Sequence, residues 1–231
     1  MNKTLPKPHL SPVLPGFLSE LARHNDKDWF DAHRALYQEA YVAPALALIA
    51  AMAPALARLD PPLEASPKVN GSLRRINRDV RFSPDKRPYS TTLHIVFWAG
   101  AHPNRAPGVH FAVAPDHFGF GAGHWAFEPA RLEAYRQAVS SKAALASLTA
   151  ALATAEKAGC FLDQPQLARV PRGYDAEEPA ATYLRCKGLV ARSKDLPIPK
   201  ELFAPGAEAY FLARIKPLLP LVAWLNAHVM G

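Results

Sequence analysis

Cysteine is scarce in this chain: Cys160 and Cys186 are the only two in 231 residues, and neither sits in a CxxC spacing. That excludes a disulfide-framed scaffold and a thiolate zinc knuckle, and it suits a reducing compartment. Long apolar runs are also missing. A bilayer span needs roughly 20 apolar residues, and the longest run, residues 44–57, is short and contains Pro54. Lys3 and Lys7 are followed by no apolar stretch, so no secretory signal is read and a cytoplasmic protein is expected, with no membrane partner. Neither a P-loop nor a GxSxG nucleophile elbow occurs. The nine histidines form no HxH or HExxH pattern, so no metal site and no cofactor is expected. Acids are the scarcer charge, 20 against 27 basic residues, for a net charge of +7.

The basic excess is concentrated. Between Lys68 and Arg87 seven basic residues (Lys68, Arg74, Arg75, Arg78, Arg81, Lys86 and Arg87) face only Asp79 and Asp85. A focused positive field attracts anions, and structural ion-pair networks concentrate charge in the same way. Both readings are carried forward.

Hydrophobic content of 49% and charged content of 20% describe an ordinary folded chain. The prolines at 6, 8, 12 and 15 mark residues 1–14 as a flexible end, leaving 15–231 as one domain. Helical spacing then begins. Phe17, Leu18 and Leu21 share a face, and Asn25 or Asp26 can cap a second helix carrying Trp29, Phe30, His33, Leu36 and Tyr37. Pro44 suits the first turn of a third, with Leu46, Ile49, Met52 and Leu56 as its core stripe. Over residues 70–125 the period shortens to two. Strands are expected at 73–82, 92–98, 109–114 and 117–125, joined by short turns as an antiparallel meander. Helices follow from 129 and from 142 to 158, with Gly159 closing the second. Short strands are expected at 167–170 and 189–191, a short helix after Pro179, and a helical C-terminal region from about Ala207. The class is α+β, an antiparallel sheet packed by N-terminal, central and C-terminal helices.

Two constellations stand out. If 73–82 is a regular strand, Arg78 interrupts the face made by Ile76, Val80 and Phe82. A buried guanidinium then needs a carboxylate or a bound anion, with Asp85, Glu128 and Asp79 as the candidates. Arg75 and Arg81 flank Asp79 on the opposite face. The second constellation is Gly119, Gly121 and Gly123, which leave one strand face bare. The bare strip admits a ligand, another backbone, or a large ring such as Trp125. Its GxGxG spacing lacks the strand-to-helix turn of a dinucleotide fingerprint.

The run Arg78-Asp79-Val80-Arg81-Phe82-Ser83-Pro84-Asp85-Lys86-Arg87-Pro88-Tyr89 resembles a motif of the bacterial and fungal family known as domain of unknown function 2461. Asp28-Trp29-Phe30, the glycine strand running from Gly121 to Pro129, and Val170-Pro171-Arg172-Gly173-Tyr174 are similar to further motifs of that family. Pro84 departs from the pattern, where a lysine or similar polar residue is expected, and it should stiffen the turn. The resemblance implies a single domain across most of residues 16–226. It carries over no substrate, cofactor or catalytic residue.

The functional expectation is an anion-accepting cleft for a phosphorylated or carboxylated small molecule. Arg75, Arg78, Arg81, Lys86, Arg87 and Tyr89 would bind it, and Asp79, Asp85, His94 or Glu128 would be the groups available for proton transfer. Two alternatives use the same residues. One is a module for nucleic acid or an acidic partner, with Phe82, Tyr89 and Trp98 interleaved among the basic side chains. The other is an internal arginine–aspartate network with no ligand.

Overall fold

Apolar residues at three- and four-residue spacing build the N-terminal third of the computed structural model, which describes residues 7–230. Helix α1 (Leu14–Arg23) buries Leu14, Phe17, Leu18 and Leu21. The Asp26 side chain caps α2 (Lys27–Ala32) by accepting from the Trp29 amide at 2.9 Å. A continuous helical run follows over Arg34–Leu56. It consists of α3 (Arg34–Leu36), a wider π-helical stretch (Tyr37–Val42) and α4 (Ala43–Leu56). Its 23 residues are long and apolar enough to cross a bilayer by composition. Here Ala45, Leu48, Ile49, Met52 and Leu56 are buried in the core, while Leu46 packs on its margin. Of the segment read as a flexible end, residues 1–6 lie outside the described residues. Leu10 is buried, and its amide donates to the Leu202 carbonyl at 2.8 Å.

The later helices are α5 (Pro129–Ser140), α6 (Lys142–Lys157), α7 (Ala180–Leu184), α8 (Ala207–Ile215) and α9 (Leu219–Leu225). Five strands form one antiparallel sheet: β1 (Leu93–Trp98), β2 (Gly108–Val113), β3 (Phe118–His124), β4 (Cys160–Leu162) and β5 (Leu189–Ser193). Their order is β1-β2-β3-β5-β4, so the first three are the expected meander. Alternation gives the sheet two unlike faces. Leu93, Ile95, Phe97, Val109, Phe111, Val113, Phe118 and Phe120 are buried on one of them. There Phe111 meets Phe211 of α8 edge-on at 4.6 Å. Polar tips inside the helical layer are satisfied: the Trp224 indole donates to the Ala144 carbonyl at 2.8 Å, and the Tyr135 hydroxyl to Tyr183 at 2.9 Å.

Two expected strands are absent. Residues 73–82 pair only at single positions, Leu73 with Ile95 and Asn77 with Tyr89. Leu73 and Ile76 are both buried although their parity differs, so the strict two-residue period fails. The reason lies in who satisfies the backbone. Lys86 Nζ donates to the carbonyls of Val80 (3.0 Å) and Arg81 (3.4 Å), and Arg78 Nη1 to that of Arg87 (2.8 Å). Side-chain cations replace ladder amides there, and Pro84 and Pro88 have no amide to give. The segment becomes an irregular arm whose base lies along the outer edge of β1, with the Arg74 amide on the His94 carbonyl at 2.9 Å. Residues 167–170 form no strand either; the second strand beyond the meander is supplied instead by Cys160–Leu162 pairing with β5.

Candidate functional site

The arm carrying the basic residues resolves into three ion pairs. Arg78 is paired by Asp85, one of its three candidates, at 2.9 Å. Arg87 closes on the same carboxylate, with Nη2 at 2.9 Å. Arg81 grips Asp79 through Nε at 3.0 Å and Nη2 at 2.7 Å. Arg78 is not buried in an apolar face: its side chain keeps 29% of its surface exposed. Hydrogen bonds from Arg81 hold the Asp79 carboxyl below its ordinary range, and those from Arg87 do the same, more strongly, for Asp85. Both aspartates are therefore fixed anions at neutral pH and poor carriers of a proton. Tyr89 belongs to the core: it stacks on Phe30 at 4.1 Å, and Asn25 bonds both its amide and its carbonyl at 3.0 Å. Asn25, expected as a cap, serves instead as a backbone mimic.

The bare strip lies elsewhere and has a different neighbour from the one expected. Trp125 is 73% exposed and does not cover it. Strand β5 does. A Cβ on Gly121 would stand 2.5 Å from the Ala191 carbonyl, and one on Gly123 2.0 Å from that of Leu189. Gly123 also holds φ at +142°, a conformation side chains disfavour. Gly119 is different: its Cβ would meet only the Ser193 hydroxyl, at 3.7 Å. The strip thus serves close strand pairing at one end and open space at the other.

That open space is a cleft of about 1090 Å³ on the sheet face opposite the helices. Strand register explains its floor. Val96, His110, Gly121, Arg192 and Phe161 form one row across all five strands, and His94, Ala112 and Gly119 form the next. In the first row Gly121 contributes no side chain, and Arg192 packs close against its backbone. On the far wall Arg192 Nε donates to Asp163 at 2.6 Å, and Lys194 Nζ lies 5.8 Å from the centre of the Phe161 ring. His117 stands between Asp116 at 2.7 Å and Asp195 at 3.8 Å.

His94 and His110 are the chemically distinctive pair. His94 Nε2 and His110 Nδ1 are 3.0 Å apart, sharing one proton between two rings. Burial at the cleft floor pushes His94 down to about 4 and His110 to about 3, with the Arg74 guanidinium adding to both shifts. Both imidazoles are therefore neutral at pH 7. Among the described residues Arg74 itself has only neutral partners, Asn104 Oδ1 at 2.8 Å and the Pro103 carbonyl at 3.5 Å, and burial lowers its pKa as well.

Of the residues expected from the sequence to bind the anion or to move a proton, His94 alone lines this cleft; Arg75, Arg78, Arg81, Lys86, Arg87, Tyr89, Asp79, Asp85 and Glu128 do not. Glu128 instead precedes the first turn of α5. Among the described residues no group of three or more His, Cys, Asp or Glu side chains could hold a metal ion. Burial pushes the Cys160 thiol up to about 12 and Cys186 up to about 11, so neither is poised as a nucleophile. Arg192, Asp163, Lys194 and Gln166 reach the cleft through long-range pairing of β4 and β5, which leaves no local signal beyond the GxGxG spacing that admits β5.

No curated protein and no solved structure matches this chain. Residues 14–224, nearly all of the folded part, match the family described as conserved hypothetical protein (DUF2461). Its span takes in the charged arm, the glycine strand and all five strands of the cleft, so the chain belongs to the DUF2461 family.

Proposed function

We propose that this protein binds a phosphorylated or carboxylated small molecule in the cleft above Gly119, Gly121 and Gly123, and that it does so in the cytoplasm. The observation that carries this reading is Arg74. A half-buried guanidinium with no carboxylate partner among the described residues stands behind two neutral imidazoles, so its field is left uncompensated at the floor. On the opposite wall Lys194 adds a positive group, Arg192 is paired with Asp163, and Gln166 adds an amide. A trough that buries most of a ligand and offers a few convergent polar groups is the usual form of a small-molecule site. Any proton transfer on the bound molecule falls to His94 and His110, the neutral bases in reach. The test is a thermal-shift panel of phosphates, nucleotides and carboxylates, run on the wild type and on Gly119→Leu. Stabilisation of the wild type alone is the expected result; no stabilisation by any anion would overturn the reading.

A second reading is favoured by Phe82. Its ring is 92% exposed at the tip of the arm, with the Arg81 guanidinium 5.7 Å from its centre. Arg75, Lys86 and Arg87 belong to the same basic stretch, and an exposed ring within a positive field is the kind of stacking platform that single-stranded nucleic acid uses. This reading expects binding of an oligonucleotide at low salt that weakens steeply as salt rises and is lost in Phe82→Ala. The internal network of Arg78, Arg81 and Arg87 with Asp79 and Asp85 supports a third role for the same arm, that of holding its own backbone.

A further inference from the structure

The His94–His110 hydrogen bond uses one nitrogen of each ring, leaving His94 Nδ1 and His110 Nε2. Neither of these makes a hydrogen bond among the described residues, and neither is sealed from solvent. Both rings line the cleft. Two neutral imidazoles joined in this way have only two arrangements. If His94 donates the bridging proton, its Nδ1 is a bare acceptor and His110 Nε2 carries a proton. If His110 donates, the roles of both outer nitrogens reverse. In each case the pair shows the cleft one N–H donor and one bare acceptor.

We propose that this pair makes the cleft selective for hydroxylated anions, such as phosphorylated polyols or hydroxy acids, over plain anions of the same size. The inference rests on the cleft being an anion site and adds the identity of the anion. A plain phosphate or carboxylate has only acceptor oxygens, so it satisfies the donor end and leaves the bare nitrogen without a partner. A ligand with a hydroxyl one or two atoms from its anionic group satisfies both ends. Because the two arrangements interchange, the anionic oxygen and the hydroxyl can occupy either end. Interchange is also a balanced proton relay. In one concerted shift, an O–H in the cleft passes a proton to one outer nitrogen, the bridging proton crosses to the other ring, and that ring's outer N–H passes its proton to an oxygen. Both rings are neutral before and after the concerted shift, which matters where burial penalises imidazolium so strongly. The titratable groups that act on the pair are Arg74, on both rings, and His124, on His110.

The test combines titration calorimetry with nitrogen-15 NMR of the histidine rings in the whole chain. Matched probes are lactate against propionate and glycerol 3-phosphate against propyl phosphate. The hydroxylated member of each pair should bind the wild type roughly tenfold more tightly, the worth of one added hydrogen bond that spares an unpartnered group. That preference should vanish in His94→Phe and His110→Phe. In the free wild type at pH 7, both rings should show averaged tautomers, and one tautomer should prevail when lactate or glycerol 3-phosphate binds. Equal affinities within each pair would overturn the inference while leaving the anion site standing. A single fixed tautomer in the free and bound states would overturn it even if a hydroxyl preference were found. Failure of all four probes to bind would remove the anion site and this inference with it. The NMR measurement needs no variant, so misfolding of either substitution does not block the test.

Discussion

Two glycines four positions apart answer to different physics. Gly123 is irreplaceable by geometry: its φ of +142° and a Leu189 carbonyl that would lie 2.0 Å from an added methyl leave no room for a side chain. Gly123→Ala should cost about 3 kcal/mol or more, because strain and overlap with a central strand combine. Urea unfolding measures this directly. Gly119 has open space beyond Ser193. Gly119→Leu should change stability by less than about 1 kcal/mol while filling the trough and abolishing stabilisation by any anion. A Gly119→Leu protein that unfolds early would show that the trough is part of the core. The glycine spacing was legible from the sequence, but not this division of labour. A Cβ clashes or not according to how closely β5 approaches, and β5 lies far along the chain.

At the scale of the element, the charged arm illustrates the same limit from the other side. Its residues were visible as unusual, and the pairing of Arg78 with Asp85 was among the candidates. Its shape was not legible, because alternation of residue types over 73–82 mimics a strand while lysine and arginine side chains satisfy the carbonyls. The partial exposure of Arg78 and Asp85 also changes the energetics. A fully buried pair broken on one side would cost about 3–5 kcal/mol. This one is open to water, and Asp85 keeps Arg87 as a partner. Arg78→Ala should therefore cost about 1 kcal/mol, read by denaturant midpoint. A loss several-fold larger would mean that the arm is a keystone of the fold. Phe82→Ala should leave the midpoint unchanged, since the ring touches little besides Arg81.

For the whole molecule, the arrangement is a sheet with one face given to helices and the other kept open. Keeping histidines on the open floor has a thermodynamic consequence. Both are lowered in the folded state, from 6.5 to about 4 for His94 and about 3 for His110. Below pH 6.5 the unfolded chain takes up protons that the folded protein refuses. The stability contributed by the neutral rings is full above that pH and is lost as pH falls towards about 4 and then about 3. Between pH 7 and pH 5 the loss should be on the order of 1–2 kcal/mol per ring. The arginine-held Asp79 and Asp85 act in the same direction at still lower pH, since their carboxyls are also depressed in the folded protein. Urea titrations at the two pH values measure the difference, and the double substitution His94→Phe with His110→Phe should flatten it. An unchanged stability down to pH 5 would place both rings in contact with bulk water.

By itself the sequence determined the α+β class, the meander of β1 to β3, most helix positions and the family motifs. Each of these is written in periods of two or 3.6 residues and in short turns, which are local properties of the chain. The tertiary structure alone decided where the chemistry sits. Only the insertion of β5 between β3 and β4 brings Arg192 opposite Gly121 and His110. Only the registry of β1 with β2 sets His94 against His110 at 3.0 Å. Charge density along a chain marks where cations are many. Whether a cation is spent on a neighbouring carboxylate, as in the arm, or held by neutral partners beside the cleft histidines, as with Arg74, depends on partners that folding brings from far away.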